Sequence, residues 1–195
     1  MYTFDHDLFL LLNFDGGAIT DSAMKIISGT AMWIPLYIFI LVVVWRRYGW
    51  RSALLFVVCL AAAMGLADMF CGIFKHSGPL KHLWESFPAR SRPMFTESLQ
   101  GLVHVPSYKH GPFGTVSSHA ATVAAMATLS ALAIRNRWYT ATITFITLLI
   151  CYSRIYLACH FPMDLALGLA VGVVSGAAMW LLWKKTSRLI KKCAK

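Results

Sequence analysis

Five stretches of this 195-residue chain are apolar almost throughout: Ile26 to Trp45, Ala53 to Phe74, Val116 to Ile134, Trp138 to Leu157 and Leu165 to Trp183. Each is close to the roughly 20 residues that cross a hydrocarbon core of about 30 Å, so the pattern predicts five transmembrane helices. An earlier apolar run, Leu8 to Leu12, is too short to span, and with Asp5, His6 and Asp7 before it the segment to Asn13 is expected to be an interfacial helix. Asp15, Gly16 and Gly17 break that helix, and Thr20 or Asp21 is placed to cap the next. The N-terminus lacks the charged region and cleavage site of a secretory signal and reads as mature. Lys75 to Thr115 is long for a simple connection, and its aromatic residues and histidines point to an ordered functional loop. With no repeat or linker to divide the chain, residues 1–195 are expected to form one all-α, membrane-embedded helix bundle.

Charge orients the bundle. Eleven of the 18 lysines and arginines lie in three places: Arg46, Arg47 and Arg51; Arg135 and Arg137; and the tail Lys184, Lys185, Arg188, Lys191, Lys192 and Lys195. These clusters follow the first, third and fifth spans, so the positive-inside rule makes them cytoplasmic and sends the N-terminus and the long loop to the periplasm or exterior. The expected location is therefore the cytoplasmic (inner) membrane, crossed several times. A net charge of +10 would suit nucleic acid, but confinement to helix ends speaks for membrane topology instead. A hydrophobic content of 58% and a mean hydropathy of +0.62 exclude an ordinary soluble domain. The five cysteines show no metal-like spacing; Cys71 and Cys159 both fall near the outer face, where a disulfide is possible. Asp68, inside the second span, is expected to face the bundle interior and pair with a cation or hydroxyl.

The candidate chemistry gathers on the outer side. Arg154, His160 and Asp164 stand where the fourth span ends and the fifth begins, with Pro162 suited to the first turn of a helix. Asp164, four residues after His160, is expected to accept a hydrogen bond from one imidazole nitrogen and fix the tautomer of the other; stabilisation of a helix N-terminus is the plainer role for it. Ser117, Ser118 and His119 open the third span, where free N–H groups and the helix dipole favour an anion. Arg92 with Arg90 and upstream lysines adds guanidinium and ammonium groups that match phosphate oxygens. Two histidines on separate helices can serve as nucleophile and acid, so the set points to phosphoryl transfer.

These residues resemble the motifs of the type 2 phosphatidic acid phosphatase superfamily, membrane lipid phosphatases that share their site with vanadium haloperoxidases. The motif S-R-x5-H-x3-D is met in full by Ser153, Arg154, His160 and Asp164. The motif P-S-G-H appears as Val116-Ser117-Ser118-His119, and K-x6-R-P is met only in Arg92-Pro93, since Glu85 stands where the lysine belongs. Lys75 or Lys81 then supplies the missing charge. Lys75 is favoured because it directly follows a span, while Lys81 lies beyond the Gly78-Pro79 turn, which leaves residues 76 to 87 as an insertion.

The resemblance implies that His160 is the nucleophile and forms phosphohistidine, that Asp164 orients it, and that His119 is the general acid. Lys75, Arg92, Ser117, Ser118 and Arg154 would bind the phosphate, with no metal and no cofactor. His104 and His110 are candidates for a lid over the site. The implied substrate is a membrane lipid phosphate, lipid A first, with undecaprenyl diphosphate or phosphatidylglycerophosphate as alternatives. A reading from another class is a haem or metal carrier with His119 and His160 as ligands, which the surrounding arginines disfavour. A transporter would want inverted repeats or broken helices, and the sequence has neither.

Overall fold

The computed structural model describes residues 2–106 and 111–193, so Ser107 and His110, both in the long loop, lie outside the described residues. Among those described, regular structure is helical apart from one β-bridge between Ser91 and Phe113. The helices are α1 (Tyr2–Leu12), α2 (Gly17–Ser28), α3 (Ile34–Tyr48), α4 (Trp50–Phe74), α5 (Ser118–Ile134), α6 (Arg137–Tyr156) and α7 (Pro162–Cys193).

Local chemistry sets the boundaries. Gly29 is extended and is followed by a 3-10 turn, Thr30–Trp33, so the first long helix starts later than Ile26 and continues to Tyr48. It stops at Gly49, whose φ of +84° suits a residue without Cβ. Ser117 caps α5 by accepting a hydrogen bond from the Ala120 N–H. Arg135 turns the chain in the left-handed conformation, and the Asn136 side chain accepts from the N–H groups of Trp138 and Tyr139 to start α6.

Among the described residues three helical stretches, not five, are long and apolar enough to cross a membrane: Thr30–Tyr48, Trp50–Phe74 and Pro162–Ile190. The other two expected spans form helices but differ in character. α5 has 17 residues, and α6, with 20, carries Thr140, Thr142, Thr144, Thr147, Tyr152 and Arg154 among its apolar positions. α5 is enclosed by its neighbours, which relaxes the demand for apolar side chains, whereas Thr140, Thr142 and Thr144 of α6 are exposed and lower its hydropathy. The Cys71–Cys159 disulfide that the sequence leaves possible is not formed: both residues are free, buried thiols.

α5 is the centre of the bundle, packed mainly on α7 and flanked by α4 and α6. Gly168, Gly172 and Gly176 form a stripe along α7 against Ala120, Ala121, Ala124 and Ala125 of α5. A Cβ on any of these glycines would collide with the carbonyl of Ser117, Ala121 or Ala125. Small residues at four-residue spacing let two backbones approach, which is how membrane helices associate when apolar burial gives no advantage over lipid. The stripe also fixes the functional ends: the Ser117 N–H donates to the Asp164 carbonyl at 3.0 Å, joining the start of α5 to the first turn of α7. Gly172→Val should therefore lower the unfolding temperature in detergent sharply, since overpacking a tight contact costs about 1–3 kcal/mol or more. Gly65→Ala on α4, with nothing within 4 Å of the added methyl, should leave that temperature unchanged or raised.

The N-terminal segment is more than an interfacial rider. Phe9 is fully buried, and Asn13 donates to the carbonyls of His104, Ile155 and Tyr156 while its own side-chain oxygen accepts from the His104 N–H. α1 is thereby pinned onto the α6–α7 junction.

Candidate active site

Lys75, Arg92, Ser118, His119, Arg154 and His160 line one cavity of about 360 Å³, a volume within the usual range for a ligand site. Four different parts of the fold deliver them. Lys75 caps the C-terminus of α4, Ser118 and His119 open α5, Arg154 lies in the last turn of α6, and His160 precedes α7. Arg92 comes from the loop, where its backbone N–H donates to the Pro112 carbonyl beside the Ser91–Phe113 bridge.

His160 is 2% exposed, and its partners fix its tautomer. Nδ1 lies 2.9 Å from the Gly114 carbonyl, which can only accept, so Nδ1 carries the hydrogen. Nε2 lies 3.1 Å from Arg92 Nη1, which can only donate, so Nε2 presents its lone pair to the cavity wall. Burial pushes the His160 pKa down to about 4, outweighing the nearby Asp164 carboxylate. The ring is thus neutral near pH 7, with its unprotonated nitrogen facing a cation.

Asp164 corrects the sequence expectation. Its nearer oxygen is 3.8 Å from His160 Nδ1, too far for a hydrogen bond, because it accepts instead from the Phe161 N–H at 3.0 Å. A carboxylate at the third position of a helix reaches back to the N–H at its start, and that geometry wins. The other oxygen accepts from Arg90 at 2.7 Å, and Arg90 also donates to Asp5 of α1 at 2.6 Å. Asp5 in turn accepts from the Met163 N–H, and the Arg90 guanidinium stacks over the Phe161 ring at 4.3 Å. Burial works against the charge on Arg90, but Asp164 and Asp5 prevail and raise its pKa. Asp164 is therefore linked to His160 through the first turn of α7 and not by a direct hydrogen bond. Asp5 and Arg90 complete a buried network that local sequence could not reveal, the partners being 85 residues apart.

The cationic groups differ in what holds them. Arg92 is anchored by the carbonyls of Gly111 and Cys159 at 2.6 and 2.8 Å. Gly114 must be small here, since a Cβ would stand 3.1 Å from the Arg92 side chain and 3.5 Å from Asp164. Arg154 is 4% exposed; it donates to Ser28 of α2, while its Nε is buried without a hydrogen-bond partner. Lys75 Nζ donates to the Ser118 hydroxyl at 2.5 Å, and burial lowers its pKa. Lys81 sits exposed on a 3-10 turn, Lys81–Trp84, and does not line the cavity. The insertion around it is bound to α4 by edge contacts among Phe74, Trp84 and Phe87. Asp68 lines the cavity too, within electrostatic reach of Lys75.

Ser117 stands apart from the cavity lining. It is fully buried, with its hydroxyl committed to capping α5. The structure adds a wall absent from the sequence reading, made by Ser28, Thr30, Trp33 and Tyr37 at the α2–α3 junction. Of the other histidines, His104 bonds Asp21 at 2.8 Å and lies outside the cavity lining. His104, Asp15 and Asp21 bring ligand atoms within 4.8 Å of one another, while Asp21 also accepts from Tyr156 at 2.7 Å. The metal-carrier reading fares poorly, because the His160 lone pair that a metal would take faces a guanidinium.

Residues 53–188 match the sequence model of the PAP2 superfamily. The chain is similar to the lipid A 4'-phosphatase of Bacteroides thetaiotaomicron, at 32% identity over 95% of this chain and 80% of that one. It is also similar to the lipid A 4'-phosphatase of Porphyromonas gingivalis, at 28% identity over 88% of this chain and 70% of that one. Two crystal structures share the fold. Aquifex aeolicus LpxE has a TM-score of 0.61 at 19% identity, covering 89% of this chain and 92% of that one. The PAP2-type phosphatidylglycerolphosphate phosphatase of Bacillus subtilis has a TM-score of 0.67 at 17% identity, covering 94% and 86% respectively.

Proposed function

The chain belongs to the PAP2 superfamily, and from that membership we propose that it removes a phosphate from lipid A, at the 4'-position that its curated relatives are named for. The observation that carries the reading is the convergence of Lys75, Arg92 and Arg154 on one cavity with His119 and His160, with Arg154 Nε buried and unpartnered among the described residues. A phosphate oxygen supplies the acceptor that this N–H lacks.

The reaction runs in two displacements. His160 Nε2 attacks phosphorus, the P–O bond to the lipid breaks, and His119 gives its proton to the departing oxygen. Water, deprotonated by His119, then attacks the phosphohistidine; the P–N bond breaks and inorganic phosphate leaves. Lys75, Arg92, Arg154 and the Ser118 edge of α5 stabilise the charge spread over the phosphoryl oxygens. Ser117 serves them by capping α5, and Asp164 serves His160 by holding Arg90 and the start of α7. Arg92 hands the His160 lone pair to phosphorus by turning its Nη1 to the incoming oxygen.

In this reading residues 1–195 act as a single domain. α3 to α7 all cross the cytoplasmic membrane, with α5 sheltered by α4 and α7 and α6 packed on α5, and the site faces the periplasm or exterior. The deciding experiment is phosphate release by purified protein from a panel of lipid A, undecaprenyl diphosphate and phosphatidylglycerophosphate. Lipid A should be hydrolysed fastest, with loss of the 4'-phosphate in its mass spectrum; preference for another lipid would overturn the substrate assignment. Activity should survive EDTA and fall with vanadate, since the site as read holds a trigonal-bipyramidal phosphate with lysine, arginine and N–H groups. Orientation has its own test. A cysteine at position 81 should react with an impermeant thiol reagent in intact spheroplasts, and one at position 137 only after lysis.

A further inference from the structure

At the far end of α5 from the catalytic cavity lies a second pocket, of about 250 Å³, with Tyr48, Arg135, Trp183, Lys184, Ser187 and Arg188 in its lining. α5 has 17 residues and rises about 1.5 Å per residue, so the two sites are roughly 25 Å apart along it, close to the thickness of a hydrocarbon core. Among the described residues, none of Arg135, Lys184 and Arg188 forms an ion pair with a carboxylate. Ser187 is 5% exposed, and its hydroxyl is buried without a hydrogen-bond partner among the described residues. Such a group in a helix would ordinarily bond the carbonyl one turn back, so its isolation calls for an acceptor from outside the chain.

The wall is rigid. Trp183 is 3% exposed, donates from its indole to the Ser52 carbonyl at 2.9 Å, and meets Tyr48 edge to face at 4.9 Å. The Tyr48 hydroxyl donates to the Ala133 carbonyl at 2.7 Å, and Lys184 Nζ rests over the Trp180 ring at 4.5 Å. Basic residues collect at helix ends for topology alone, but topology requires neither a concave pocket nor an orphaned buried hydroxyl. Two guanidinium groups, an ammonium and a hydroxyl donor around one concavity match the oxygens of a phosphate. The flanking tryptophans suit a group held at the membrane boundary.

We propose that this pocket is a non-catalytic phosphate-binding site in the leaflet opposite the active site. The occupant is the phosphate of an anionic lipid headgroup or free inorganic phosphate. The test uses the full-length protein, exchanged into mixed phosphatidylglycerol and phosphatidylcholine and then examined by native mass spectrometry. Wild type should retain phosphatidylglycerol over phosphatidylcholine by ten-fold or more. Arg135→Gln/Arg188→Gln should lose that preference by about ten-fold. Ser187→Ala, which leaves every charge in place, should lose about three-fold.

Arg46→Gln/Arg51→Gln removes two charges from exposed positions at the same end but outside the pocket, and should retain the lipid as wild type does. If millimolar inorganic phosphate displaces the lipid from wild type, the natural ligand is the free anion; if it does not, it is the headgroup. Equal losses in the pocket and control variants, or no preference in wild type, would overturn the proposal. Turnover should stay near wild type in all of these variants, which separates this site from the phosphatase reading.

Discussion

His160→Ala is expected to abolish both turnover and phosphoenzyme formation, a loss on the order of 10⁴- to 10⁶-fold, because the proposed mechanism assigns the attack on phosphorus to its Nε2. His119→Ala should behave differently. With p-nitrophenyl phosphate the leaving group needs little protonation, so labelled phosphohistidine should accumulate while its hydrolysis stalls. Rapid acid-free quenching and gel radiography distinguish the two outcomes, and an intermediate in His160→Ala but not in His119→Ala would exchange the roles.

The burial of His160 adds a pH signature. Its pKa is pushed down to about 4, so the imidazole proposed as nucleophile stays unprotonated through the neutral range and kcat/KM should keep its His160-dependent acid limb near pH 4. An acid limb that appears only near 6.5 and vanishes in no other variant would mean a solvated imidazole. Stability follows the same sign. The unfolded chain takes up the proton near 6.5 and the folded one only near 4, so acidification across that interval favours unfolding.

The fold and the site were legible to different depths. Apolar runs located α3 to α7 because a helix that faces lipid has no other composition open to it. The same rule overcounted membrane-length helices, since α5 is short and enclosed by its neighbours and α6 carries threonines and other polar residues that lower its hydropathy. Gly168, Gly172 and Gly176, which hold α5 against α7, were visible as letters but have meaning only once a partner helix is known.

Within the site, spacing brought together Arg154, His160, Ser118 and His119, because motifs record which side chains end at one mouth. Spacing misjudged Asp164. Four residues from His160 is one helical turn only when both residues are helical, and His160 precedes the helix, so the carboxylate turned back to the Phe161 N–H. Gly114, whose backbone carbonyl fixes the histidine tautomer, carries no side-chain signal at all. Asp5 and Arg90 are charges of the kind sequence reading notices, but pairing across 85 residues is set by tertiary structure.

Lys75→Ala should reduce kcat/KM on a minimal substrate by roughly 30- to 1,000-fold, the equivalent of about 2 to 4 kcal/mol for one charge-assisted phosphate contact. Lys75 is held at the end of α4 and reaches the Ser118 hydroxyl at the mouth of α5, so its ammonium is fixed against the cavity before substrate arrives. Little rotamer entropy then remains to be lost on binding. Lys81 is exposed beside the His82–Glu85 pair, on a turn outside the cavity lining, and Lys81→Ala should stay within a few-fold of wild type. Ser118→Ala separates contact from scaffolding. If Lys75 acts on the phosphate directly, loss of its serine partner should cost less than loss of the lysine; if Lys75 only positions Ser118, the two variants should be equally impaired. A loss confined to Lys81→Ala would move the missing charge of the K-x6-R-P motif into the inserted turn and leave Lys75 as a brace between α4 and α5.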